Sequence, residues 1–146
     1  TDAYGGGGMY NFYAMGTADN PRTPVVFVHE FGHSFAGLAD EYFSSEVAYQ
    51  DFYNLKYEPW EPNITTLVNF DAKWKDLLPT NTPIPTPLDD AHKDKAGVFE
   101  GGGYIAKGIY RPMDHCMMRD YAPFCPACSR AILQMIDYFT DKPIKH

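Results

Sequence analysis

Residues 25–42 constrain this chain most, because they set His29-Glu30-Phe31-Gly32-His33 inside an apolar run. Upstream, Asn20-Pro21-Arg22-Thr23-Pro24 reads as a helix start: Thr23 can cap, and Pro24 suits the first turn. The helix is expected over residues 24–36, with Gly37 as its stop. Its apolar residues fall on every side, Val25, Val28 and Phe35 on one face and Phe27 and Phe31 on another. A helix apolar all round is expected to be buried. His29 and His33 then stand one turn apart on the same face. Two imidazoles so placed can grip one Zn²⁺, and Glu30 can hold the water that the metal activates. The alternative is a pair of core histidines beside a capping or ion-pairing glutamate. Burying three such groups without partners is costly, and a metal satisfies both histidines at once.

A catalytic zinc needs a third protein ligand and keeps one position open for water. In one large class of zinc peptidases the pattern is H-E-x-x-H-x-x-G-x-x-H or D. Here Ala36 stands where the glycine would be and Ala39 where the ligand would be, and neither fits. Gly37-Leu38-Ala39-Asp40 keeps the Gly-x-x-ligand spacing with both ends displaced by one residue. That spacing selects Asp40 as third ligand. Glu41 stands as the alternative, either as ligand or as a group orienting a histidine N–H. With zinc polarising the scissile carbonyl, Glu30 would take the proton of the water and pass it to the leaving amine. Tyr42, Tyr110 and Tyr121 are candidates for a phenol at the oxyanion.

The remaining sequence bounds what can surround such a site. The chain has 146 residues, 45% hydrophobic and 16% aromatic, enough for one globular domain with a core. A formal net charge of −7, with no basic patch, argues against a nucleic-acid partner. No apolar run has the length of a membrane span. The chain opens at Thr1 with neither an initiator Met nor a signal peptide, so it is expected to be part of a longer protein.

Four consecutive glycines, Gly5 to Gly8, read as a pliable loop, followed by a short strand over residues 9–15. They are also a place where a backbone can approach another surface, such as a substrate edge. Residues 43–62 read as partly helical and then irregular. Asn63-Ile64-Thr65 matches a glycosylation acceptor. Residues 72–78 suggest a short helical piece, and prolines at 83, 85 and 87 impose an extended segment. Residues 98–111 read as two short strands around Gly101-Gly102-Gly103, a region that could line the pocket. Residues 112–124 read as a loop. Pro126 opens a final helix to about residue 138, with Ala131, Ile132, Met135 and Phe139 as its apolar stripe.

In this class of zinc pocket a methionine on a tight turn lies beneath the metal, just before the last helix. Cys116-Met117-Met118-Arg119 occupies that place, and Met118 is the methionine chosen. The cysteines are Cys116, Cys125 and Cys128, an odd count. Cys125-Pro126-Ala127-Cys128 reads as half a zinc knuckle or a redox pair, but a Cys₄ site within the chain is excluded. The favoured role is a structural disulfide from Cys116 to Cys125 or Cys128. Closure of Cys125 on Cys128, or a reduced trio, are the alternatives.

With these residues laid out, the chain resembles the IgA-peptidase-type zinc metallopeptidases, family M64, of the metzincin group. The matching stretches are Tyr4 to Gly8, His29 to Tyr42, Phe99 to Tyr104 with Gly108 to Pro112, and Cys116 to Arg119 with Phe124 to Cys128. The resemblance implies an α+β, metzincin-like catalytic domain. It would comprise an active-site helix, an irregular C-terminal subdomain and a final helix, with part of the N-terminal sheet missing. It implies a zinc endopeptidase acting on protein or peptide, with Zn²⁺ at His29, His33 and Asp40 and Glu30 as base. It also implies a bacterial secreted protein, extracellular or periplasmic. Two other functions stay open at this point: a non-catalytic zinc-stabilised binding module, and a zinc amidase or esterase.

Overall fold

The structure, a computed structural model, describes residues 5–43 and 52–141. Two antiparallel hairpins and three helices carry it. Strands β1 (Gly6–Met9) and β2 (Tyr13–Gly16) pair in the register Gly6 to Gly16 and Met9 to Tyr13. The glycine run is therefore a strand rather than a loop, and the turn falls at residues 10–12. Glycine propensity alone would not favour this strand, and its reason is the helix beneath. Helix α1 (Thr23–Ala36) lies so close that a Cβ on Gly6 would stand 2.6 Å from both Glu30 Oε1 and Val26 Cγ1. A Cβ on Gly8 would meet the Glu30 carbonyl and stand 2.9 Å from the His33 Cβ. The Asn11 amide donates to the Ser34 carbonyl at 2.7 Å and ties the turn to the helix as well.

Helix α1 starts and stops close to its sequence signals. Pro24 sits in the first turn, although Thr23 is already helical and does not cap. Gly37 takes a left-handed conformation, φ 63°, and its amide closes on the Gly32 and His33 carbonyls. The expectation of all-round burial fails. Val26, His29, Glu30, Gly32 and Ala36 are buried, whereas Phe27, Val28 and Phe31 are exposed. The described elements that pack on α1 are the first hairpin, α2 and α3, and they leave those three side chains uncovered.

Residues 70–77 form two single 3₁₀ turns, Phe70–Ala72 and Lys75–Leu77, instead of one helical piece. Between them Trp74 is fully buried and donates Nε1–H to the Gly97 carbonyl at 2.8 Å. The second hairpin is β3 (Phe99–Gly102) with β4 (Ile105–Arg111), as the sequence suggests. Its register slips between Glu100 and Gly102, and Gly101 there has φ 98°. After β4 come the short α2 (Met117–Asp120) and then α3 (Pro126–Phe139).

The main core gathers Ala36, Leu38, Trp74, Val98, Met118 and Ala131 with all three cysteines. A large side chain buried this way contributes about 1.5–3 kcal/mol relative to exposure. Of the stripe expected on α3, Ala131 is buried and Ile132 and Met135 pack against the core, while Phe139 is largely exposed. Met118 is fully buried against Gly32, in the turn of α1 between the two histidines. The Asn63 acceptor reading also fails. Asn63 is 0% exposed, and its amide donates to the Ala39 carbonyl and to Glu41 Oε1. No glycan could be accommodated there.

Candidate metal centre

Helix periodicity brings His29 and His33 to one face, and two carbonyls outside the helix then orient their rings. His29 Nδ1 donates to the Met117 carbonyl at 2.8 Å, and His33 Nδ1 donates to the Leu38 carbonyl at 2.6 Å. A carbonyl only accepts, so each Nδ1 carries a proton and each Nε2 is the ring nitrogen turned toward the cluster. The two Nε2 atoms stand 3.2 Å apart. Asp40 Oδ1 stands 3.0 Å from Nε2 of His29 and 3.3 Å from Nε2 of His33. It is buried without a hydrogen-bond donor.

Two imidazole nitrogens and a carboxylate oxygen thus converge, an arrangement that needs a cation or a proton between them. Ligands at about 2.0–2.1 Å around a tetrahedral zinc stand roughly 3.3 Å from one another. The observed triangle has that size, so the residues present fit the ion. A zinc held by these three residues would keep one position for a non-protein ligand.

The second oxygen of Asp40, Oδ2, accepts from the Tyr104 hydroxyl, which in turn lies 3.4 Å from the Tyr42 hydroxyl. Burial raises the Asp40 carboxyl, but the imidazoles and Tyr104 outweigh it and hold the group well below the usual carboxylate range. Tyr42 is pushed up to about 12, first by burial, and so remains a protonated donor near neutral pH. Glu30 lies nearby, with a carboxylate oxygen within 4.8 Å of the histidine nitrogens. Burial raises its pKa against the opposing pull of both imidazoles. All of these groups line one cleft of about 400 Å³, roofed by Gly6, Gly7 and Gly8.

Glu41 faces elsewhere. It is 0% exposed, and its Oε1 accepts from Asn63 and from the Cys128 thiol. Among the three phenols suggested by sequence, Tyr42 lines the cleft and the Tyr121 ring lies 5.5 Å from that of His29. Tyr110 instead pairs with Thr65 and packs on the core. Tyr104, the phenol on Asp40, is the residue that sequence reasoning missed. It sits at φ 65° in the β3–β4 turn, and no periodicity marks it. All three cysteines are free thiols, so none of the expected disulfides joins them.

The glycine roof supports a paired prediction. Gly6→Ala drives a methyl into the Glu30 carboxylate, so peptide turnover should fall at least tenfold. Gly7→Ala meets only Met15, at 3.7 Å, and should stay within about twofold of the parent. Steady-state kinetics on both variants checks this; equal losses would mean the roof does not act through Glu30.

A helix offering two imidazoles and a glutamate, a carboxylate on the loop beyond its glycine stop, and a buried methionine on the short α2 before the last helix define a metzincin-like zinc peptidase. The IgA Peptidase M64 family model matches residues 1–96 and 88–136, and the chain belongs to that family. It is a zinc metalloendopeptidase whose substrates are proteins or peptides, and the family suggests an extracellular role. No curated protein matches the chain. No described helix is long and apolar enough to cross a membrane.

Proposed function

We propose that residues 1–146 form one catalytic domain in which His29 Nε2, His33 Nε2 and Asp40 Oδ1 bind the zinc and Glu30 is the general base. The observation that carries this assignment is the triangle of His29 Nε2, His33 Nε2 and Asp40 Oδ1, with sides of 3.0–3.3 Å. When bound, zinc supplies an activated water and a Lewis acid for the scissile carbonyl. Glu30 accepts the proton of the attacking water and returns it to the leaving amine. Its partly desolvated carboxylate, raised above the ordinary value, is suited to both steps. The Met117 and Leu38 carbonyls keep the imidazoles in the tautomer that offers Nε2. Tyr104 holds Asp40 through the oxygen that does not face the histidines. A non-catalytic binding module has no need of a base beside an open coordination position, which favours the peptidase over that alternative. We place the enzyme in the bacterial extracellular space or periplasm, a reading that rests on its family.

The assignment is tested with the purified chain and a peptide library. A strong zinc chelator should abolish cleavage, and Zn²⁺ added in excess of the chelator should restore it. Cleavage that persists once the metal is stripped would end the reading.

Tyr104→Phe should weaken zinc binding at this centre by about 10–100-fold, the usual loss when a ligand's outer hydrogen bond is removed. Competition with a chromophoric chelator measures it. An unchanged affinity would make Tyr104 a packing residue.

A further inference from the structure

Behind the cleft, on the far side of the segment carrying Asp40, a second group of ligand-type side chains has no part in the chemistry above. Glu41, Cys116, Cys125 and Cys128 come from the loop after α1, the residue preceding α2, and the start of α3. All four residues are 0–2% exposed. Their ligand atoms, three sulfurs and one carboxylate oxygen, lie within 4.8 Å of one another. Cys116 Sγ and Cys128 Sγ are 3.7 Å apart, and Cys128 Sγ is 3.2 Å from Glu41 Oε1. Sulfur ligands at about 2.3 Å from a tetrahedral zinc stand roughly 3.8 Å apart, and a sulfur–oxygen pair roughly 3.5 Å.

The backbone is arranged for negative sulfur. The Cys125 amide donates to Cys116 Sγ and the Cys128 amide donates to Cys125 Sγ, each at 3.4 Å. Cys125 is the N-cap of the fourteen-residue α3 and Cys128 lies in its first turn, where the helix end favours thiolate. Glu41 provides an independent sign of a ligand. Its Oε2 is fully buried and accepts no hydrogen bond, a costly state for a carboxylate. A disulfide would engage two sulfurs and bring no positive charge to the buried carboxylate. A single cation engages all four residues.

We propose that Glu41, Cys116, Cys125 and Cys128 form a second, structural zinc site, distinct from the histidine centre. Four protein ligands close the coordination shell, which makes the site structural rather than catalytic. Three thiolates select a soft or borderline ion over magnesium or calcium. Their excess negative charge is offset by the two amides, the Asn63 side chain on Glu41 Oε1 and the α3 N-terminus. The site joins the pieces that build the cleft. Asp40 and Glu41 are neighbours, so anchoring Glu41 fixes the segment that turns Asp40 toward the histidines. The Glu41 amide donates to the Met118 carbonyl, and the carbonyl of the adjacent Met117 orients His29.

Zinc and thiols are counted on the full chain purified without chelator. Two zinc ions per chain are expected, with three free thiols after denaturation in chelator. The decisive sample is His29→Ala/His33→Ala, whose cysteines are intact. After exchange it should still bind one Co²⁺, with the near-ultraviolet absorption of sulfur-to-cobalt charge transfer. Adding Cys125→Ser to that background should remove the band. Cobalt bound without the sulfur band, or no cobalt bound, would overturn the proposal. A count of one thiol after denaturation would also overturn it in favour of a disulfide. None of these readouts uses peptidase activity, so they fail or succeed separately from the histidine assignment.

Discussion

Glu30→Gln should leave zinc in place and reduce peptide turnover by about 10²–10⁴-fold, the range for loss of a positioned general base. That factor corresponds to about 3–5 kcal/mol of the barrier. Glutamine has nearly the shape of glutamate, so the Gly6 roof, which leaves no room for a methyl beside this side chain, still closes over it. The proposed metal-binding triangle does not include Glu30, so the zinc content should match the parent. Only the ability to accept a proton is removed. Zinc measured by elemental analysis and kcat measured on the same sample separate the two effects. Turnover within tenfold of the parent, with zinc retained, would assign the base elsewhere in the cleft.

The sequence disclosed what local rules control and concealed what tertiary packing controls. The α1 bounds, the Gly37 stop and the two-histidine face follow from turn chemistry and a 3.6-residue period, and the structure reproduces them. Spacing from Gly37 singled out Asp40 as the proposed ligand, although spacing could not say where Glu41 points. The distances do: Asp40 faces the imidazoles and Glu41 the thiols. Strand β1 was hidden because its glycines carry no strand preference of their own. They are strand because the hairpin must lie almost against α1. Tyr104 was hidden because it reaches Asp40 across 64 residues from a turn with no periodic signal. Asn63 was hidden in the opposite way, by a three-residue match that suggested the surface while its amide works in the interior. The cysteines were read among themselves as disulfide candidates, because the fourth member of their cluster, Glu41, lies 75 positions or more away along the chain.

Asp40→Ala should strip zinc from the histidine centre while leaving the fold and the thiol cluster standing. Removing a hydrogen bond to a ligand weakens binding by about 10–100-fold, and removing the ligand itself should exceed that. The two imidazoles that remain would hold an ion too weakly to survive purification, and peptide cleavage should be lost with it. The neighbouring substitution gives the opposite pattern. Glu41→Gln keeps the Asp40 side chain itself, so metal at the histidine centre should be weakened far less than by Asp40→Ala, whereas stability should fall because a group buried among three thiols and Asn63 has changed. Zinc affinity by chelator competition and thermal melting, run on both variants, read the two sides of the dipeptide independently. If Asp40→Ala retained parental affinity while Glu41→Gln lost the histidine-bound metal, the third ligand would be Glu41, and the segment beyond Gly37 would have to turn its side chains the other way. A residue placed between two buried clusters cannot serve both with one side chain. The pair Asp40-Glu41 solves this by sending adjacent carboxylates in different directions, which ties the geometry of the catalytic cleft to the integrity of the core behind it.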